Sequence, residues 1–508
     1  MKRLILAAFL LLSSQGFAGE FLVKYKNTNG LAFLNGMASD KSARLTIMDH
    51  HEVGSYYKVS IPKAQEAKTI TTLLAQSNIE YVVPNFKLHS YSSAPVDAAA
   101  MKDQWAIAKV QAEKAWQRAG NKGSKKVLLA VIDTGADYKH KNLSSNMVQG
   151  YDFKDKDNDP MDLTGAQNPG HGTHCSGIIG STGSVDGGTV GMSPELSIMP
   201  LRFLGADGSG SLDDGIKAID YAIEKGVMVI SASWGATVSR SQAQPLIDAI
   251  KRADDKGIIF VAAAANDGKN NDKTDVFPAN AGTPNMISVA ASGSKDEKPS
   301  WSNYGKATVS LASPGLDIMS TLPGDKYGNL SGTSMATPLV AGLVAFLKAQ
   351  DSSLTGAQIR SLLQTTGAKV GIETACNCRI DAFAAVDALL NKNMYLVPAT
   401  ATLAEKATAT ITVMNGKSPF KFTSSNPAAI TIADNGTVTA VAKGTATISV
   451  TDAAGKSVSS LDYNVGAASS NPPDNPDQPG GGDCPLGDPA ICEAACGIMP
   501  SLPWCKGN

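Results

Sequence analysis

An excess of charge of either sign is what this sequence most lacks. Its 508 residues carry 45 Lys and Arg against 46 Asp and Glu, a formal net charge of −1, and only 18% of the chain is charged. That balance excludes the basic footprint of a nucleic-acid binder and the acidic composition of a disordered chain, so no nucleic-acid partner is expected. Long apolar runs are missing too. No stretch beyond the amino terminus reaches about 18 uninterrupted apolar residues, so no transmembrane segment is expected. Cysteine is scarce, seven residues in all, and Cys484, Cys492, Cys496 and Cys505 crowd the end of the chain. Those four suggest two disulfides, with three connectivities open. The other three are an odd number, so at least one thiol is free unless it pairs between chains, and Cys376 and Cys378 stand so close that a bridge between them is expected to be strained.

What is present divides the chain. Residues 1–18 hold Lys2 and Arg3, an apolar run over 4–12 and a small-residue end at Gly16-Phe17-Ala18, the pattern of a secretory signal cleaved after Ala18. A secreted, extracellular or cell-surface protein is therefore expected. Residues 20–88 read as a small α+β unit, with strands at 21–25, 56–61 and 79–83 and a helix at 63–76. A Ser- and Ala-rich boundary follows at 90–101. From 105 to 391 strands alternate with helices, the mark of an α/β domain with a parallel sheet and helices on both faces. Apolar runs at 127–132, 196–204, 227–231, 258–264 and 286–290 suit strands covered on both sides. Helices are expected at 212–225, capped by Ser211 and closed by Gly226, and at 246–256, closed by Gly257. Residues 395–465 are rich in Thr and Val in short alternating runs, with an Asn435-Gly436 turn, and read as a small β-sandwich. The expected domains are residues 1–18, 19–93, 94–392, 393–465, a Pro/Gly linker at 466–483 and a Cys-rich tail at 484–508.

Ligands of an open parallel sheet sit beyond the carboxyl ends of its strands. Asp133, Ser233-Trp234-Gly235 and Asn266 all follow such strands. A serine, Ser334, opens an all-apolar helix over 335–347, with Pro338 expected in its first turn. A lone serine there is usually just a cap. Beside unpaired helix N–H groups, however, it is also suited to oxyanion chemistry. A serine nucleophile needs an imidazole as base and a carboxylate to orient it. Val131-Ile132-Asp133-Thr134-Gly135, His171-Gly172-Thr173-His174 and Gly332-Thr333-Ser334-Met335-Ala336 supply all three in the order Asp, His, Ser. Other chemistries fit poorly. Asp133-Thr134-Gly135 has no second copy for an aspartic-protease dyad. The pair His171 and His174 lacks the glutamate of HExxH zinc sites, and Cys175 is expected to be buried and inert.

These motifs, VIDTGAD, HGTHCSG and GTSMATP, resemble those of the subtilisin-like serine proteases over roughly residues 102–390, with the cysteine after HGTH matching the branch of thermitase and proteinase K. The resemblance implies a secreted serine endopeptidase acting on proteins or peptides. It assigns Asp133, His171 and Ser334 to the triad, Asn266 to the oxyanion hole and His174 to structure. It assigns Gly208, Ser209, Gly210, Ser233, Trp234 and Gly235 to the segments that pair with a substrate strand. Ala265 stands where the family has glycine and is expected to narrow the S1 wall, and Val276 to shorten that pocket. Asp152, Asp155, Asp157 and Asp159 resemble a thermitase-like calcium loop, implying a structural Ca2+. Residues 20–88 resemble an inhibitory propeptide removed by self-cleavage somewhere in 90–101. Residues 395–465 resemble a bacterial Ig-like module with an unspecified surface ligand. A rival reading, a surface adhesin carrying a relic protease, has the retention of every catalytic residue against it.

Overall fold

A computed structural model describes residues 19–39, 45–91, 104–185 and 188–466. The expected signal segment, the Cys-rich tail and nearly all of the linker and the boundary near residue 94 lie outside these. The described chain divides into two compact units, residues 19–86 with 238–245, and residues 87–237 with 246–466.

The first unit has β1 (Gly19–Tyr25), α1 (Thr28–Ser39), β2 (Thr46–His51), β3 (Tyr56–Ile61), α2 (Glu66–Leu74) and β4 (Ile79–Pro84). Its antiparallel sheet runs β2-β3-β1-β4. Alternation on β3 sends Val59 and Ile61 inward against Ile70 and Leu73 of α2. The expected helix at 63–76 is a short 3-10 turn followed by α2, and α1, interrupted by Gly30 and Gly36, was not expected at all.

The second unit opens with β5 (Lys87–Ser90), α3 (Trp105–Lys109), α4 (Ala112–Ala119), β6 (Leu128–Asp133), β7 (Tyr151–Asp152), α5 (His171–Gly180), β8 (Ser197–Arg202), β9 (Ser209–Ser211) and α6 (Leu212–Glu224). It continues with β10 (Val229–Ala232), β11 (Trp234–Gly235), α7 (Gln244–Asp255), β12 (Ile259–Ala263), β13 (Met286–Ser292), β14 (Leu311–Pro314) and the hairpin β15 (Ile318–Leu322) and β16 (Lys326–Leu330). Then come α8 (Thr333–Gln350), α9 (Gly356–Thr366), β17 (Ala368–Lys369), β18 (Cys378–Arg379) and α10 (Ala382–Leu390). Nine strands form one sheet in the order β17-β18-β14-β13-β12-β10-β6-β8-β7. Every pairing in it is parallel except β17 with β18. All residues of β10, β12 and β13 are buried, as expected of strands with mostly apolar residues on both faces. Ser211 caps α6 by accepting the Asp214 amide at 3.1 Å.

Helix α8 is buried from Thr333 to Lys348 and packs beside α5 against the sheet. Pro338 is its sixth residue, not part of the first turn, so it removes the amide that would have bonded the Ser334 carbonyl. That carbonyl instead accepts Ser233 Oγ at 2.9 Å and the Cys175 thiol at 3.5 Å.

Cys376 and Cys378 are bridged, contrary to expectation. Asn377 between them adopts φ +47°, a left-handed conformation that asparagine tolerates. The turn sets the two Cα atoms 5.1 Å apart, inside the usual disulfide range. Cys175 is the free, buried thiol among the described residues.

Eleven short strands from Tyr395–Val397 to Tyr463–Val465 form the β-module, with Gly436 at φ +84° in the expected turn. Tyr395, Val397 and Met414 join the main core, and the Ala399 amide donates to Ser361 of α9 at 3.1 Å. No helix among the described residues is long and apolar enough to cross a membrane.

Candidate active site

Asp133 ends β6 and His171 begins α5, and both side chains are buried. His171 Nδ1 donates to Asp133 Oδ1 at 2.7 Å, and the same oxygen accepts the Thr134 amide at 2.7 Å. Burial alone would pull the imidazole pKa down, but the Asp133 charge, the neighbouring Cys175 and the hydrogen bond outweigh it and hold it well above the ordinary value. His171 Nε2 and Asp133 Oδ2 have no hydrogen-bond partner.

The start of α5 is held by residues that the sequence motifs did not single out. Asn168 Oδ1 accepts the amides of Gly170 and His171 at 3.0 and 2.8 Å, and its Nδ2 donates to Asp162 Oδ1 at 2.8 Å. Asp162 Oδ2 accepts both the amide and the hydroxyl of Thr173. Burial pushes the Asp162 carboxyl up, against hydrogen bonds from Thr173, Asn168 and Thr134. An Asn three residues before a helix start was the available clue. His174 donates Nε2–H to the Gly328 carbonyl at 3.0 Å, and burial pushes its pKa down to about 3, leaving a neutral ring that ties α5 to β16.

Ser334 lies at the second position of α8, where the helix cannot satisfy its own first amides. Its Oγ donates to the Ser233 carbonyl at 2.9 Å and accepts the Tyr91 amide at 3.1 Å, so it is not bonded to His171 here. The two residues are nonetheless neighbours across Cys175, whose Sγ is 4.0 Å from His171 Nδ1 and 3.5 Å from the Ser334 carbonyl. Asn266, three residues beyond β12, donates Nδ2 to the Tyr91 carbonyl at 2.8 Å. Its Oδ1 accepts the amide and hydroxyl of Thr333 at 3.0 and 2.9 Å, which aims the amide group. Thr333, although part of the motif around Ser334, thus orients a partner 67 positions away, a role that its local sequence does not disclose.

The six expected substrate-binding residues flank one strand. β5 pairs antiparallel with β9, matching Leu88 with Gly210 and His89 with Ser209, and with β11, matching Ser90 with Trp234 and His89 with Gly235. The Ser90 amide donates to the Gly208 carbonyl at 3.1 Å and the Tyr91 amide to the Ser233 carbonyl at 3.3 Å.

The acidic loop is arranged differently from an oxygen cage. Arg202 Nη1 pairs with Asp152 Oδ2 and with Asp155 Oδ2. Asp152 Oδ1 accepts the amides of Lys154 and Asp155, Asp157 Oδ1 accepts the Asp159 amide, and Asp159 Oδ1 accepts the Tyr138 hydroxyl. Among the described residues these four carboxylates do not converge as a metal-ligating group. Arg202 thus takes up Asp152 and Asp155, while Asp157 and Asp159 are engaged by an amide and a hydroxyl. The donors that do converge are Asp133, His171 and Cys175, where a proton already bridges Nδ1 to the carboxylate.

The family model described as the subtilase family matches residues 124–389, and the bacterial Ig-like domain (group 2) model matches residues 392–461. The chain is 35% identical to the thermophilic serine proteinase of Bacillus sp. (strain AK1) over 69% of its own length and 82% of that protein. It is 38% identical to thermitase of Thermoactinomyces vulgaris over 54% of this chain and 92% of the relative. Against the major intracellular serine protease of Bacillus subtilis (strain 168) the identity is 37%, covering 48% and 74%.

Proposed function

The chain belongs to the subtilase family and is a subtilisin-like serine endopeptidase, and from that premise we propose that it acts through an acyl-enzyme and is made as a secreted, self-processed precursor. Ser334 Oγ turns about its Cα–Cβ bond from the Ser233 carbonyl to His171 Nε2, an ordinary change of rotamer. His171 takes the hydroxyl proton as Oγ attacks the scissile carbonyl carbon, and Asp133 holds Nδ1–H throughout. Negative charge on the carbonyl oxygen is met by Asn266 Nδ2 and the Ser334 amide, the first of which is worth roughly 3–4 kcal/mol at such sites. His171 then protonates the leaving amine, and water hydrolyses the ester.

The observation that carries this reading is that Asn266 Nδ2 already donates to a peptide carbonyl, that of Tyr91, whose own amide rests on Ser334 Oγ. The strand β5 between β9 and β11 supports a cleft that reads backbone, with broad specificity at most positions, and supports an amino-terminal segment acting as intramolecular inhibitor. Residues 1–18 support export. At the acidic loop, the geometry favours Arg202 as the resident positive charge over Ca2+.

A fluorophosphonate probe and a peptide mixture test the assignment together. Wild-type protein should label on Ser334 and cut peptides, while Ser334→Ala should do neither and stay unprocessed. A processed, fully active Ser334→Ala protein would sink it.

A further inference from the structure

Asp162 lies in the irregular stretch between β7 and α5, nine residues ahead of His171, and it is buried. Among the described residues no basic side chain forms an ion pair with it. A carboxylate removed from water without a counterion is costly unless its lone pairs are filled. Four donors fill them: Asn168 Nδ2, the Thr173 amide, the Thr173 hydroxyl and the Thr134 hydroxyl. Each belongs to a segment that carries one member of the catalytic pair. Thr134 follows Asp133, and while its hydroxyl donates to Asp162 its Oγ1 accepts the Gly172 amide at 2.8 Å. Asn168 turns Oδ1 on the His171 amide, and Thr173 Oγ1 accepts the Asp137 amide at 2.9 Å. One carboxylate therefore ties the segment after β6 to the first turn of α5. Those backbones meet with no space between them, since a Cβ on Gly172 would lie 2.1 Å from the Gly135 carbonyl oxygen and 3.2 Å from Asp133 Oδ1. The 2.7 Å bond from His171 to Asp133 is thus set by how the two segments are held.

We propose that Asp162 is a positioning residue for the protease: through Thr134, Asn168 and Thr173 its carboxylate fixes the distance and angle at which Asp133 meets His171, and so aims the imidazole at the reacting serine. This rests on the triad reading. The geometry requires a carboxylate and not merely a polar side chain. An asparagine at this position has one oxygen and one NH2 group, so one of its two edges would set N–H against the donors of Asn168 or of Thr173. Exchanging the two side chains removes the conflict. In the double variant Asp162→Asn with Asn168→Asp, the amide keeps its oxygen for Thr173 and donates to the carboxylate at position 168, whose oxygens still receive the Gly170 and His171 amides.

Steady-state kinetics across the acid limb and a melting curve are measured on each variant. Asp162→Asn should lower kcat by about 100-fold with KM within about 2-fold, the size of effect that a misaligned catalytic group produces. The acid limb of kcat/KM should also move down, because a loosened Asp133 supports the imidazolium less. Cys175 and His174, the other titratable groups that act on His171, stay in place, so the shift reports on Asp133. The double variant should recover to within about 10-fold of wild type and return the limb. Thr134→Val keeps the carboxylate, removes one of its tethers and should cost about 10-fold in kcat. It decides alone if Asp162→Asn does not fold. A lowered melting temperature with kcat and acid limb unchanged, in Asp162→Asn or in Thr134→Val where that variant decides, would make Asp162 a purely structural residue and overturn the proposal. A double variant no better than the single one would overturn it too. The triad reading survives both results, and falls only if wild type neither labels on Ser334 with the fluorophosphonate probe nor cuts any peptide.

Discussion

Of the buried aspartates that meet a basic side chain, Asp152 and Asp133 are finished differently. Asp152 and Asp133 have side chains exposed by only 1% each. At Asp152 both oxygens are engaged, Oδ1 by two amides and Oδ2 by Arg202, and only Arg202 Nε is left over. At Asp133 one carboxylate oxygen and the outward nitrogen of His171 have no partner at all. Buried polar atoms are almost always paired, so orphans gathered on one ion pair mark where a reacting group comes and goes. A satisfied pair holds structure, and an unsatisfied one waits for substrate.

Replacing each aspartate by its amide should separate the two roles. Asp133→Asn should lower kcat by about 10⁴-fold with little change in Tm, because the amide favours the wrong imidazole tautomer. Asp152→Asn should leave kcat close to wild type. It should cost stability instead, because Arg202 keeps its buried charge without its closest counterion. Steady-state kinetics and a melting curve on each variant suffice, and a similar loss of rate in both would dissolve the contrast.

Arg202→Met attacks the structural pair from the other side. It strands the Asp152 carboxylate beneath the loop, for a loss of about 3–5 kcal/mol and roughly 10 °C in Tm. With the guanidinium supplying the charge, chelator should not shift the wild-type midpoint. A midpoint that falls in chelator and returns with added calcium would reinstate the ion at Asp152, Asp155, Asp157 and Asp159.

The catalytic pair should also announce itself by pH. His171 is held well above its ordinary pKa of about 6.5, and it must be neutral to act as base. The acid limb of kcat/KM should therefore lie above pH 6.5 and move down in Asp133→Asn. For stability the sign is opposite. The charged imidazole contributes fully below about pH 6.5, and the contribution is lost as pH rises through the folded pKa. An acid limb at or below 6.5 would mean that Asp133 does not govern His171.

The same contrast explains what the sequence disclosed. The parallel sheet was legible because runs such as Ile259–Ala263 are apolar without alternation, and the rim followed from where those runs stop. Asp133, His171, Ser334 and Asn266 stood out because each is embedded in a local motif, although only the fold brings them near one another. Partners set by tertiary contact alone left no local trace. Arg202 is 50 residues from Asp152, and Tyr91 is 243 from Ser334. The two-residue strands β17 and β18 are too short to carry a period, and the bridge across Asn377 depended on a left-handed turn that no spacing rule reveals.

The smallest expected effect lies at Ala265, where the substrate pocket and backbone strain meet. Its φ of +87° belongs to a region in which Cβ crowds the backbone, and glycine occupies it freely. Ala265→Gly relieves that strain but gives the unfolded chain more freedom, so the net gain should stay below about 1 kcal/mol. The same Cβ belongs to the apolar wall against Tyr91. Its removal should widen the pocket and raise the relative rate on tryptophan over tyrosine at P1 by a few-fold, within the range a methyl-sized change commands. Melting curves and the Trp/Tyr ratio of kcat/KM read the two effects separately. A stability gain without a change in that ratio would mean that Ala265 bears on the backbone alone and that the pocket's width is set by Val276, Ala279 and Gly235.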